Sequence, residues 1–489
     1  MNRHALSRRE LIGMGLGAAA GLVTLPTLLS ARGLSVARGL SLPPALPVDE
    51  LDIAVKAGRW IRRSRIATKN GATWPVDPLQ PATIGLDLYN GMPGIIIFNL
   101  ELFYATNDKS WLEDARLGAD ELIAQLPTLQ EARRCGLYDG LAGAVFVLEE
   151  THKATGDGKY RDAATQGLQM IQGLAQKAPS GAYWTGASGT NDIISGGAGI
   201  AVLLSWAANE LNAPAMRDLA LLTGRHLVEV AVPDKGGAKW PVKTGDTTYY
   251  LNFAHGTSGV AFALAKLFAQ TFDRSMYSGS LQAVRYLDAL ASTDGGGYKL
   301  FHHEPGGEQL YYMGWADGPA GTARLFTQLG EMARTEHWNG VAQQCADAVM
   351  ASGVPEKQSA GYWGLDQANG ATGVGDFFIK LQRITPEPAY EDMLRRISAA
   401  TAAAAITDGD GVKWVQADNA EGPDKPAART GFMQGVAGIG SYFLHADDLA
   451  KGRKPAIRWP DAPTTEACAP NPTKILDMGD IRGGPRPRC

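Results

Sequence analysis

Three side chains able to move protons share one local setting in this chain. His255 in "AHGTSG", Asp139 in "YDGLAG" and Asp317 in "ADGPAG" each stand directly before the first glycine of a Gly-x-x-Gly motif. Four uncharged polar residues occupy the same place: Asn90 in "YNGMPG", Ser195 in "ISGGAG", Asn369 in "ANGATG" and Gln434 in "MQGVAG". An imidazole changes charge near neutral pH, and a carboxyl can serve as acid or base once its surroundings shift it. Two settings fit such positions. One is a helix N-cap, for which Asn, Asp and Ser are good residues and His and Gln are poor. The other is a cavity wall at the positive end of a helix dipole.

The elements around the motifs bear on this choice. The polar positions 90, 139, 195, 255, 317, 369 and 434 recur about every 50 to 65 residues, the length of a helix pair with its connections, and a steady period marks a repeat architecture. Each motif opens a run that is apolar on most faces, such as "GIIIFNLELFYAT" or "GVAFALAKLFAQTF", as expected of a helix buried all round. Before each lies a run with one apolar stripe and one charged face, such as "WLEDARLGADELIAQL". Buried and amphipathic helices in alternation predict an all-α fold, a seven-repeat α/α toroid built as a double ring of 14 helices. In such a ring the seven polar residues converge on one central cavity. Gly-aromatic segments ("GATW", "GAYW", "GAKW", "GYKL", "GYW", "GVKW") recur with the motifs, and their aromatics are either core plugs or a ligand wall.

A length of 489 residues, 45% hydrophobic and 20% charged, is that of an ordinary globular chain. A formal net charge of −4 with interspersed signs offers no basic patch for nucleic acid. The N-terminus places Ser7-Arg8-Arg9 before an apolar, Gly/Ala-rich run from Leu11 to Leu29, with small residues at Ser35 and Ala37. That pattern looks like a twin-arginine export signal. The expected organisation is a signal over 1–37, a linker over 38–47, the toroid over 48–452 and a Pro/Gly-rich tail over 453–489. The product is expected to be a periplasmic or secreted monomer with no stable membrane insertion. Of four cysteines, Cys345 lies in the apolar phase of a helix, Cys468 and Cys489 could pair in an oxidising compartment, and Cys135, five residues before Gly140, is the one to consider for chemistry.

The seven motifs in phase, "NDIISGGAG" at the third copy, "FAHGTSG" at the fourth and the Gly-x-x-Trp elements together resemble the lanthionine synthetase C-like family, from about residue 50 to about 450. The resemblance implies the toroid. It also implies an acid-base pair at Asp192 and His255, and a zinc ion held in the cyclases of the family by two cysteines and a histidine. The positions matching those ligands are Ala316, Ala368 and Asn369. Zinc is what makes a thiol nucleophilic at neutral pH, so no metal, no cofactor and no zinc-dependent thioether chemistry is expected. "HHEPGGE", with His302, His303 and Glu304, is the alternative metal set, although adjacent loop histidines more often face solvent.

Three functions follow. The first is an exported, zinc-free family member that binds or modifies a peptide with Asp192 and His255, the ligand being held by Asn90, Asp139, Ser195, Asp317, Asn369 and Gln434. The second is a glycan-processing hydrolase or lyase that takes an oligosaccharide and uses Asp139, Asp192 or Asp317 as acids. The third is a binding scaffold without catalysis.

Overall fold

The computed structural model describes residues 48–463 apart from 186–189, 244, 334–335, 358–363 and 419–421. The expected signal, the linker and the Cys468/Cys489 pairing lie outside the described residues. Fourteen α-helices are found among them. Seven are apolar on nearly every face: α2 (Met92–Thr106), α4 (Leu141–Thr155), α6 (Gly197–Glu210), α8 (Thr257–Thr271), α10 (Pro319–Ala333), α12 (Ala371–Ile384) and α14 (Val436–Ala450). The other seven bury one stripe: α1 (Glu50–Arg63), α3 (Lys109–Glu131), α5 (Gly158–Leu174), α7 (Pro214–Glu229), α9 (Arg274–Asp288), α11 (Glu336–Ser352) and α13 (Pro388–Ala403). The apolar set packs side by side in a closed inner ring, α14 against α2, and the amphipathic set surrounds it.

Each outer helix packs chiefly on the inner helix that precedes it in the chain. In three of the repeats the turn between them carries a Thr-x-Asp signal. Thr106, Thr155 and Thr271 each donate a hydroxyl to the carbonyl four residues back, and Asp108, Asp157 and Asp273 accept from the backbone N–H two residues on, which caps the outer helix. Among the described residues no helix follows α14, and α1 takes the outer place beside it. The ring is therefore closed by the first helix of the described chain meeting the last.

Four of the Gly-aromatic segments, "GATW", "GAYW", "GAKW" and "GVKW", form small antiparallel hairpins between repeats, and "GYW" lies outside the described residues. Trp184, Trp240 and Trp414 are buried and donate their indole N–H to the carbonyls of Ile171 (2.8 Å), Leu227 (2.6 Å) and Thr401 (2.8 Å), each thirteen residues back near the end of an outer helix. They are core plugs. The glycine of each hairpin lies against the next outer helix: a Cβ on Gly181 would fall 1.9 Å from the Leu222 carbonyl oxygen, and one on Gly237 2.2 Å from that of Gln282.

The sequence beyond α14, read from composition as a separate tail from residue 453, enters the ring from Ile457 onward. Its indole at Trp459 packs on Phe432, Phe146 and Tyr138 at centroid distances of 4.8, 5.4 and 6.0 Å. Asp461 accepts from the Tyr138 hydroxyl at 3.0 Å and pairs with Arg324 at 3.1 Å, and the Ala462 carbonyl accepts from Lys266 Nζ at 2.5 Å. These partners come from the second, fourth, fifth and seventh repeats, so the segment lies on the axis.

One buried ionic cluster sits where the ring closes. His445 of α14 contacts Asp376 of α12 through Nδ1 (2.8 Å) and Glu101 of α2 through Nε2 (3.2 Å), and Ser441 also hydrogen-bonds Glu101. Burial alone would pull the imidazole pKa down, but the two carboxylates carry it well above its ordinary value. A raised value means that the stability contributed is full below the ordinary imidazole range and is lost as pH rises through the raised pKa. His445→Gln leaves two largely buried carboxylates facing each other, and we expect a loss of about 3 kcal/mol in chemical denaturation near pH 6. The difference from wild type should shrink as the pH is raised through the histidine's titration.

Candidate functional site at the mouth of the inner ring

The seven motifs meet in a belt of backbone hydrogen bonds. Tyr89 N donates to Tyr138 O (3.0 Å), Tyr138 N to Ile194 O (3.0 Å), Ile193 N to Ala254 O (3.2 Å) and Ala254 N to Ala316 O (2.9 Å). Ala316 N then donates to Ala368 O (2.7 Å), Ala368 N to Met433 O (3.0 Å), and Met433 N to Tyr89 O (2.7 Å), which closes the circle. The polar residue follows next in each copy. Gly91, Gly140, Gly196, Gly256, Gly370 and Gly435 are the N-cap residues and make no side-chain cap bond. For those six copies the cap alternative is corrected: glycine caps, because the belt leaves no room there for a side chain. A Cβ on Gly256 would fall 2.4 Å from the Asn252 carbonyl oxygen, and one on Gly259 2.0 Å from that of Phe253.

Freed from capping, the polar side chains pair around the belt. Asn90 Nδ2 donates to Gln434 Oε1 (3.0 Å), Asn369 Nδ2 donates to Asp317 Oδ2 (2.9 Å), and His255 Nδ1 meets Asp192 Oδ2 at 2.6 Å. Asp139 lies beside Ser195, whose hydroxyl pulls its pKa down while burial, the larger influence, pushes it up. All eight residues singled out in the sequence therefore lie around one mouth.

Asp192 is fixed from both sides. Its Oδ1 accepts from Ser195 N at 2.9 Å, an Asx turn that leaves Oδ2 for His255. The same turn recurs as Asp87 to Asn90 (2.7 Å) and Asp366 to Asn369 (3.0 Å); a repeated Asp-x-x-(Asn/Ser)-Gly signal would have shown it. Asp192 is almost wholly buried, whereas 43% of the His255 side chain stays exposed. Burial pulls the His255 pKa down, yet the charge and hydrogen bond of Asp192, with Asp317 and Asp139 beyond, set it above its ordinary value. With Nδ1 committed to Asp192, the Nε2–H of the imidazolium is the proton available to a ligand.

Tyr250 and His302 join this group, and no local pattern placed them there. The strand Tyr249–Tyr250 pairs with His303–Glu304, Tyr250 opposite His303. The Tyr250 ring lies 6.3 Å from that of His255 and 5.0 Å from that of His302. His302 Nδ1 stands 3.5 Å from Asp317 Oδ1, so this histidine faces the mouth and not bulk solvent. Burial pushes the Asp317 pKa up, but His302, Asn369 and His255 outweigh it and hold the carboxyl below its ordinary value. Glu304 turns away to Lys239 (2.8 Å) and Tyr286 (2.7 Å), which takes the third donor out of the "HHEPGGE" set. Cys135 is buried, and burial, with Asp139 adding to it, pushes its thiol up to about 12; it is no nucleophile at neutral pH.

The zinc site implied by the resemblance does not fit these residues. Ala316 and Ala368 offer only backbone atoms, both already used in the belt, and the Asn369 amide is spent on Asp317, its Oδ1 accepting from Asp317 N at 3.2 Å. Among the described residues no three His, Cys, Asp or Glu side chains converge as a metal-ligand group.

Seven inner and seven outer helices closed into a ring, with a histidine–carboxylate pair at the motif end, define a seven-repeat α/α toroid. Residues 83–464 match the family model for lanthionine synthetase C-like proteins, and the chain belongs to that family. Among solved structures it is similar to nisin cyclase, with TM-score 0.56 and 16% identity over 82% of this chain and 98% of that one. It is also matched by D-mannose isomerase (TM-score 0.48, 12% identity, 84% and 100% covered). A third match is the α-1,6-mannanase of Salegentibacter sp. HEL1_6 (TM-score 0.45, 13% identity, 81% and 99% covered). No curated protein sequence matches the chain.

Two outcomes follow for the purified protein. Elemental analysis should find no stoichiometric zinc, and one tightly held zinc per chain would show that another donor set has formed. In an imidazole NMR titration His255 should titrate above 6.5, its ordinary value, and Asp192→Asn should bring it down. The stability from this pair is present below the ordinary imidazole range and lost as pH rises through the raised pKa.

Proposed function

We propose that the chain is an exported, zinc-independent member of its family that binds a peptide over the mouth and modifies it by acid-base chemistry. The observation that carries this reading is the 2.6 Å pairing of His255 with Asp192, in which one partner is buried and the other opens toward a ligand. Asp192 fixes the tautomer and favours the imidazolium; His255 gives its Nε2 proton to the substrate and recovers one from water. Asn90, Ser195 and Gln434 supply donors and acceptors for a peptide backbone, Asp139 and Asp317 supply charge, and Asn369 holds Asp317 in place. The "SRRELIGMGLG" start supports export. No helix among the described residues is long and apolar enough to cross a membrane.

One observation favours a second reading, a glycan-processing hydrolase or lyase. Burial pushes Asp139 above its ordinary range, whereas His302 and its neighbours hold Asp317 below. A carboxylic acid and a carboxylate in one mouth are the two players of glycoside cleavage.

Thermal-shift panels of peptides and oligosaccharides separate the readings, because a ligand specific for the folded state raises the melting temperature. Peptides should stabilise the wild type, and His255→Asn and Asp192→Asn should each abolish that shift. His255→Asn should itself cost about 1–3 kcal/mol of stability, since the buried Asp192 Oδ2 loses its partner. Once a reaction is identified, its rate in that variant should fall by about 10²- to 10⁴-fold. Stabilisation by oligosaccharides alone would select the second reading. A shift retained in both variants would leave a binding scaffold.

A further inference from the structure

The axis of the ring holds a peptide, and the chain's own sequence supplies it. Residues 451–456 after α14 are exposed, after which Ile457 and Asp461 are buried to within 2% of their surface. The segment turns on itself, Ala462 N donating to Trp459 O at 3.0 Å and Arg458 to Pro463 O at 2.5 Å. Its apex is Trp459, just below the belt, since Tyr138 is a belt residue and Phe146 lies in the second turn of α4. Its limbs run toward the far ends of the inner helices, where Lys266 lies in the third turn of α8.

The contacts are those of a recognised ligand. The indole packs among three aromatic rings. Two residues on, the Asp461 carboxylate meets the Tyr138 hydroxyl and the Arg324 guanidinium, which also donates to the Asp461 carbonyl at 2.5 Å. Beyond Arg324, the side chains of Lys266 and Lys380 and the segment's own Arg458 stand close enough to act on one another's charge. Burial, eased by Glu331 but reinforced by Arg324, Lys266 and Arg458, brings the pKa of Lys380 of α12 down to about 7. Lys266 is brought down to about 7 as well, burial first and Arg458 next. A guanidinium beside an aromatic pocket suits a chain that carries an indole and a carboxylate.

We propose that the bore is a binding site for a peptide turn with an indole and a carboxylate two residues apart, filled here by Trp459 and Asp461, and that a peptide of this sequence in solution can exchange into it. The site lies on the axial side of the belt, so it is independent of the acid-base reading of the mouth. It makes the mouth a blind pocket: a ligand at His255 enters and leaves by the same opening.

The test uses the full chain with a site-specific protease sequence inserted between Lys454 and Pro455, in the exposed stretch. After cleavage the tail should still co-elute with the ring on size exclusion. An excess of the synthetic peptide covering residues 455–463 should release it. The same peptide with Trp459→Ala or Asp461→Asn should compete at least about tenfold less well, the loss expected when a charge-assisted hydrogen bond or a buried aromatic is removed. Separation without competitor, failure of the wild-type peptide to displace the tail, or equal competition by the variants would each overturn the proposal. Should the insertion prevent folding, amide exchange in the uncut chain decides. Trp459→Ala and Asp461→Asn should speed exchange in 457–463 about tenfold or more while the inner helices stay protected, and unchanged exchange there would overturn it.

Discussion

Seven backbone hydrogen bonds closed into a circle are the constraint from which the rest of this structure follows. A buried N–H or C=O must be bonded, and here each motif satisfies its own by reaching into its neighbour, from Tyr89 to Tyr138 and round to Met433 and back. The circle has a fixed circumference, so it sets how far apart the inner helices start and how many there are. It presses backbone against backbone at the helix starts, which is why a side chain is refused at positions such as Gly256 and Gly259. It also determines direction. The residue after each belt position points to the mouth because its neighbours on both sides are held.

Charge is distributed along the axis in layers. At the mouth, carboxylates outnumber cations and are shared out among amides, a hydroxyl and two histidines. One level down, Asp461 answers Arg324; deeper still, burial favours the neutral form of Lys266 and Lys380. Where α14 meets α2, an imidazole between Glu101 and Asp376 turns the closing seam into an ionic contact.

The architecture was legible because its costliest requirement falls on one residue type. Glycine is needed at both motif positions in all seven copies, and a period carried by glycine survives where surface sequence drifts. The convergence of Asn90, Asp139, Ser195, His255, Asp317, Asn369 and Gln434 followed from that period. Their freedom from capping did not, because Asn, Asp and Ser look like caps and only the backbone shows glycine taking the role. His302 escaped since it reaches Asp317 through a two-residue strand pairing, too short to leave an alternating pattern. Trp459 and Asp461 escaped for the opposite reason: a stretch rich in proline reads as a tail, and no local rule says that a tail can be swallowed. The tryptophans of the hairpins were undecided between core and ligand wall until their indole N–H groups were seen bonded to helix-end carbonyls.

The meeting of α1 with α14 has a consequence for how the molecule comes into being. An open stack of repeats can fold as it is synthesised, each unit settling on the last, and its ends can fray without harm to the middle. A stack whose opening helix at residues 50–63 rests on a closing helix at 436–450 has no independent ends. Its first helix remains without its partner until nearly the whole chain has left the ribosome, and the contact that finishes the fold spans almost the full sequence, the kind that forms slowly. The axial segment is made later still, so its seat is complete only after the last repeat is in place. Folding of this protein is thus an event that waits for its own ending.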